Sequence, residues 1–161
     1  MPLIRRAGVG DAALLLTLIR EFYEVDRHPY DEHRVVRALG PLLVDDSVGQ
    51  VWLITDPPDQ GAGVTGSAPD GAVTVVEGYA VLTWSWSLES GGRDCLLDEF
   101  YVRTRGRGLG GRALDELLHV ARNAGAAAMF LETEAHNCAA RRLYRRHGFR
   151  RQDSVWMARR L

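Results

Sequence analysis

Arg105-Gly106-Arg107-Gly108-Leu109-Gly110-Gly111-Arg112 lies between the strand-like run Cys95 to Val102 and the apolar helical stripe Ala113, Leu114, Leu117, Leu118 and Ala121. A glycine-rich bend that leaves a strand and enters a helix is a junction of an α/β fold, and glycines there let the backbone close on a ligand with no Cβ in the way. The first amides of such a helix have no partner inside it and carry the positive end of its dipole, which suits a phosphate. Gly106, Gly108 and Gly111 satisfy the G-x-G-x-x-G of dinucleotide-binding folds, with Glu132 21 residues further on. That fold, however, needs the strand to run almost directly into the first glycine and a second half beyond the acid. Here Arg103-Thr104-Arg105 intervene and 29 residues follow Glu132. A bend that merely lets strand and helix pack closely explains the glycines and leaves the interspersed arginines unexplained.

Working outward, Leu3 to Arg6 reads as a short strand, and Asp11 as an N-cap before Leu14, Leu15, Leu18, Ile19 and Phe22 at helical spacing. A second short helix is expected over Glu32 to Leu43. Strands follow at Val51 to Ile54 and Ala72 to Trp86, and the Pro- and Gly-rich stretch 55–71 between them reads as a flexible loop. Beyond the glycine loop, Asn123-Ala124-Gly125 stops the helix, Ala127 to Leu131 reads as a buried strand, and Asn137 caps a short helix that Gly148 closes. Val155-Trp156-Met157 is expected to add a last strand. This order of elements predicts a mixed rather than a wholly parallel sheet.

The 161 residues, 46% hydrophobic, suffice for one core, so a single domain spanning 1–161 is expected. The net charge of -1 conceals an asymmetry: residues 1–92 hold 6 Arg and 13 acids, residues 93–161 hold 14 Arg and 8 acids. An anionic ligand therefore favours the C-terminal half. No Lys occurs, which excludes Lys Schiff-base chemistry and a P-loop lysine. The basic residues are interleaved with acids and lack zinc-finger or aromatic RNA-binding signatures, so no nucleic-acid partner is expected. Cys95 and Cys138 have no partner spacing, no metal cluster is evident, and no apolar run is long enough for a bilayer. Reduced thiols and the lack of an apolar leader lead to the expectation of a cytoplasmic protein without a membrane partner.

Arg105-x-x-Gly108-x-Gly110 resembles the R/Q-x-x-G-x-G/A loop of the GNAT superfamily of acetyl-CoA-dependent N-acetyltransferases. Leu97-Asp98-Glu99-Phe100-Tyr101-Val102 resembles the superfamily's fourth strand. Asn137 with Ala140 and Leu143-Tyr144-Arg145-Arg146-His147-Gly148-Phe149 resembles its N-x-x-A-x-x-L/F-Y-x-x-x-G-F helix. The resemblance covers roughly residues 72–161, and the entry from Val102 to Arg105 is shorter than in many relatives. It implies a single GNAT domain with a mostly antiparallel mixed sheet, splayed between the fourth and fifth strands and flanked by about four helices. Residues 1–48 would form the acceptor-side helices and 95–161 the acetyl-CoA-binding core. Acetyl-CoA, with no metal, is the implied cosubstrate. Its implied contacts are Phe100, Tyr101 and Val102 along the strand, Arg105, Gly106, Arg107, Gly108, Leu109, Gly110, Gly111 and Arg112 in the loop, and Asn137 and Tyr144 beyond it. A homodimer is implied by the resemblance alone.

In such enzymes an amine attacks the thioester directly through a tetrahedral intermediate, which calls for a base and for a proton donor to the leaving thiolate. By resemblance Tyr144 is the donor, while its place on the helix's apolar face fits core packing as well. Asp98 and Glu99 are the candidate bases, and strand alternation sends their side chains to opposite faces. The acceptor pocket of the family draws on the first two helices and the loop between the third and fourth strands, here including Phe22, Tyr23, His28, Tyr30, Trp84 and Trp86. Those aromatics, with Glu21, Glu24, Asp26, Asp31 and Glu32, suit a cationic amine, and packing accounts for many of them equally. The strand and helix motifs are also similar to those of diamine (spermidine/spermine) acetyltransferases, which implies a small-molecule amine acceptor such as a polyamine. A protein N-terminus, a lysine, or coenzyme binding without catalysis are the alternatives.

Overall fold

Five strands in the order β1-β2-β3-β4-β5 form one sheet that carries a pair of helices on each face. The computed structural model describes residues 2–56 and 75–159. Its elements are β1 (Ile4–Arg6), α1 (Ala12–Asp26), α2 (Glu32–Val44), β2 (Gly49–Asp56), β3 (Val75–Ser87), β4 (Gly92–Val102), α3 (Leu109–Asn123), β5 (Ala128–Leu131) and α4 (Cys138–Arg146). The first three pairings are antiparallel and β4 with β5 is parallel.

Period-2 alternation divides the strands between two cores. Val51, Leu53, Tyr79 and Val81 pack with Leu15, Leu18 and Ile19 of α1 and Leu39 of α2. Ile54, Ala80, Leu82, Cys95 and Leu97 pack with Leu109, Ala113, Leu114, Leu117 and Ala121 of α3. Burying each of these large aliphatic side chains stabilises the fold by about 2 kcal/mol.

β4 departs from a regular strand in two places. Val81 pairs with Glu99 but Leu82 pairs with Leu97, so Asp98 is the extra residue of a β-bulge. The bulge inverts the alternation: Cys95 and Leu97 face α3, and after it Phe100 and Val102 again lie on that side, leaving Glu99 and Tyr101 toward α1. Simple alternation at Asp98-Glu99 therefore fails, because the bulge inserts a residue that has no partner across the ladder. The second departure is that β5 pairs only with Asp94 to Leu97 and ends at Leu131. From Asp98 to Val102, β4 has β3 on one side and no strand on the other among the described residues.

Local signals set most boundaries as expected. Asn137 caps α4 by accepting from the Ala140 amide at 3.2 Å, and Gly125 and Gly148 end α3 and α4 at φ +83° and +87°. Asp11 does stand before α1 but does not cap it. Its carboxylate turns back to Arg5 at 2.7 and 2.9 Å and to the Gly8 amide at 2.9 Å, closing a 3-10 turn over Val9–Asp11. β5 is half-buried rather than buried, since it is the last strand of the sheet. Val155-Trp156-Met157 forms no strand: these residues are 88%, 74% and 91% exposed. Their β-propensity is local, and three apolar residues bury too little by themselves to offset the cost of ordering, although the outer edge of β5 is unpaired among the described residues. Of the expected loop 55–71, Thr55 and Asp56 complete β2 and the rest lies outside the described residues.

Candidate active site

The glycine loop leaves β4 from a stretch held by two anchors. The Arg103 amide donates to Glu77 O at 2.7 Å and the Thr104 hydroxyl to the Glu77 carboxylate at 2.6 Å. The Arg103 guanidinium clasps Glu21 of α1 at 2.6 and 2.7 Å and reaches Val76 O at 3.1 Å. This clasp holds the Glu21 carboxyl below the usual range, chiefly through the hydrogen bond from Arg103. Arg103 is thus committed to the protein, not added to the loop's free charge, and Arg107 is committed likewise through Asp56 at 2.6 Å. Arg105 and Arg112 make no ion pair with another described residue and are exposed.

Beyond those anchors the backbone is open. No amide from Arg105 to Gly111 donates to another described residue, and the first helical bond of α3 is Arg112 N to Gly108 O at 3.2 Å. Gly106 and Gly108 sit at φ +87° and +73°, where L-residues are strained, and a Cβ on either would meet nothing within 4 Å. The open amides, the start of α3 and two uncommitted arginines make a donor set that fits a pyrophosphate. Underneath, Gly110 lies against Phe100, Val102 and Leu143, and a Cβ at Gly111 would come within 3.1 Å of the His147 ring. His147 Nδ1 lies 2.7 Å from Asp115, so it joins α4 to α3. The unpaired edge of β4 at Phe100 to Val102 leads from this loop to the bulge and has backbone groups free to pair an extended ligand arm.

The two candidate proton carriers stand on opposite faces of the sheet. Tyr144 packs on the α3 side with Phe149, rings 5.8 Å apart, and burial pushes its phenol up to about 12. Glu99 lies on the α1 side. Tyr23 donates to its Oε1 at 2.9 Å and Tyr79 to its Oε2 at 2.6 Å. Burial raises the Glu99 carboxyl, the two phenols oppose that rise, and Asp98 adds to it. Asp98 itself is open to solvent on one side yet enclosed enough that desolvation raises its carboxyl too.

Around Glu99 the structure gathers four of the acceptor candidates. Phe22, Tyr23, His28 and Tyr30 form a chain of ring contacts at 5.9–6.1 Å, and Phe22 continues to Tyr79 and Tyr101 at 6.3 and 5.7 Å. Arg27, in the left-handed conformation at φ +59°, turns the chain after α1 so that His28 and Tyr30 fold back onto Tyr23. Trp84 and Trp86 stand apart. Trp84 pairs with Cys95, packs on the α3 side and donates to Asp46 O at 2.7 Å, and Trp86 is 75% exposed. Tyr79 was not a sequence candidate. Its signal is the diagonal cross-strand position: it pairs with Tyr101, two residues from Glu99 on the same face.

A splayed sheet with a donor-rich loop feeding a helix beside the splay defines a coenzyme A-dependent acyltransferase frame. The chain belongs to the acetyltransferase (GNAT) family, whose model matches residues 15–149. Among solved structures, an integron cassette protein from the mobile metagenome of Cole Harbour Salt Marsh is 29% identical, with a TM-score of 0.79 over 99% of this chain and 91% of that one. A protein from Arthrobacter sp. FB24, described as of acetyltransferase type, is 24% identical, TM-score 0.76, over 100% and 97%. A Clostridium acetobutylicum protein of the same description, solved with acetyl-CoA, is 17% identical, TM-score 0.72, over 97% and 94%. No curated protein is similar at a significant level. Among the described residues no helix is long and apolar enough to cross a membrane, and no group of three or more His, Cys, Asp or Glu gathers as for a metal.

Proposed function

We propose that this acetyltransferase transfers the acetyl group of acetyl-CoA to a primary amine on a small cationic molecule, with a polyamine as the model acceptor. The observation that carries the reading is the Glu99 carboxylate, set among Tyr23, Tyr79, Phe22 and Tyr101 beside the unpaired stretch of β4. A cation finds aromatic faces and negative charge there together.

Acetyl-CoA supplies the activated acyl group. Arg105 and Arg112 and the amides from Arg105 to Gly111 would hold its pyrophosphate, and the β4 edge at Phe100 to Val102 would hold its arm. An ammonium must lose a proton before it can attack, and Glu99 is placed to accept it. Asp98, in the bulge beside the splay, would keep a second ammonium of the acceptor close by charge. Tyr144, like any phenol, is protonated at neutral pH, and burial raises its pKa further, so its hydroxyl stands as a donor to the departing sulfur. Base and donor on opposite faces are compatible with a reacting carbonyl between β4 and β5, where the strands separate.

The test is a product-level panel: diamines, triamines, aminoglycosides, neutral amines, amino acids and peptides with a free N-terminus or lysine, each with acetyl-CoA and read by mass spectrometry. Preferential acetylation of small polycations supports the reading. Acetylation of peptides alone would move the acceptor to a protein amine.

A further inference from the structure

The Glu99 carboxylate has one phenol on each oxygen, and the two phenols come from different layers. Tyr23 is delivered by α1, and Tyr79 by the neighbouring strand β3 from a position with no exposure. Such an arrangement favours the ionised acid: a carboxylate accepts both phenol protons, whereas a protonated carboxyl keeps both contacts only if one phenol stops donating to it and accepts instead. The bulge at Asp98 turns Glu99, which pairs with Val81, to the α1 side, where the two phenols meet its carboxylate. We propose that Tyr23 and Tyr79 are positioning residues that hold Glu99 as an oriented carboxylate and set the pH at which it can accept a proton. The inference rests on the reading of Glu99 as the amine-side base.

The charged and titratable groups facing Glu99 are Asp98 on its own strand, Tyr79 from β3, Tyr23 from α1, and His28, which is paired with Asp26 at 2.9 Å. Tyr101, on the same face, is engaged with Glu21 at 3.4 Å. Asp98 opposes ionisation and His28 favours it. The two phenols are the neighbours hydrogen-bonded to the carboxylate, so a hydroxyl deletion isolates their effect. Phenylalanine keeps the ring contacts of both residues, and Tyr23, only partly buried, provides a variant whose folding is safe if Tyr79→Phe is poorly tolerated.

The experiment titrates carboxyl-labelled glutamate by NMR in the free protein, with Glu99→Gln to assign the resonance, and measures the pH profile of kcat/KM for an accepted amine. Hydrogen bonds to charged groups are strong enough that Tyr79→Phe and Tyr23→Phe should each move the Glu99 midpoint upward by about one pH unit. The acidic limb of kcat/KM should move with it. Unmoved midpoints in both variants overturn the inference whatever the enzyme's activity. A midpoint that moves while the acidic limb does not would instead remove Glu99 as the base, and the catalytic meaning of the two tyrosines with it.

Discussion

Arg103 and Glu21 are joined by two hydrogen bonds of 2.6 and 2.7 Å that span from the end of β4 to α1. The pair ties the loop proposed for the coenzyme to the helix that delivers Phe22 and Tyr23 to the acceptor side. Both side chains are about one-third exposed, so the pair should contribute no more than ~1 kcal/mol. Glu21→Gln is expected to weaken acetyl-CoA about three- to fivefold, measured by calorimetry. An unchanged dissociation constant would show that Arg103 and the loop are held by Glu77 and Val76 alone.

Gly108 and Gly78 separate two uses of glycine. Gly108→Ala meets no atoms but forces φ +73° on an L-residue, a strain of about 1 kcal/mol, and places a methyl at the donor-rich loop. The expected outcome is a small loss of melting temperature and at least a tenfold loss of acetyl-CoA affinity. Gly78→Ala puts a Cβ 2.0 Å from Tyr101 O in the neighbouring strand, and because backbone cannot move aside cheaply it should cost ~3 kcal/mol or more. Denaturant unfolding of the two variants should rank them in that order.

Acid stability depends on the paired carboxylates. Asp11, Glu21 and Asp46 are all held below the ordinary range, each chiefly by a hydrogen bond from its arginine. A depressed folded-state pKa contributes stability that is present above the unfolded value and lost as pH falls through the folded one, so melting temperature should drop below about pH 4. Glu99 has the opposite sign, because its raised pKa makes ionisation oppose folding. The melting temperature of Glu99→Gln, relative to the parent, should therefore improve as pH rises from about 4 to 7. A pH-independent difference would contradict the raised carboxyl.

Tyr144→Phe keeps the ring packed on Phe149 and removes the hydroxyl. It should lower kcat by tenfold or more and leave acetyl-CoA affinity nearly unchanged, since the hydroxyl acts in the transition state. Full turnover on a good acceptor would remove Tyr144 from the chemistry.

What the sequence disclosed was local. The loop, its helix, the cap at Asn137 and the stop at Gly125 each arise from a few neighbouring residues, and each stands where expected. The features that organise the site are long-range. Tyr79 meets Glu99 across a strand pair, Arg103 meets Glu21 from 82 positions away, and neither contact leaves a periodic trace. The bulge at Asp98 depends on the register with β3, which no spacing within β4 reveals. Val155-Trp156-Met157 shows the converse, a local propensity that no strand pairing in the structure takes up.

The most direct test of the coenzyme assignment is a thermal-shift titration with acetyl-CoA, free CoA and NAD, because a ligand that binds the native state raises its melting temperature by mass action. Concentration-dependent stabilisation by both CoA species, absent with NAD and weakened in Gly108→Ala, is the predicted result. Stabilisation by NAD alone, or no response to any of the three, would contradict the reading of Arg105 to Gly111 as the site of the coenzyme's pyrophosphate.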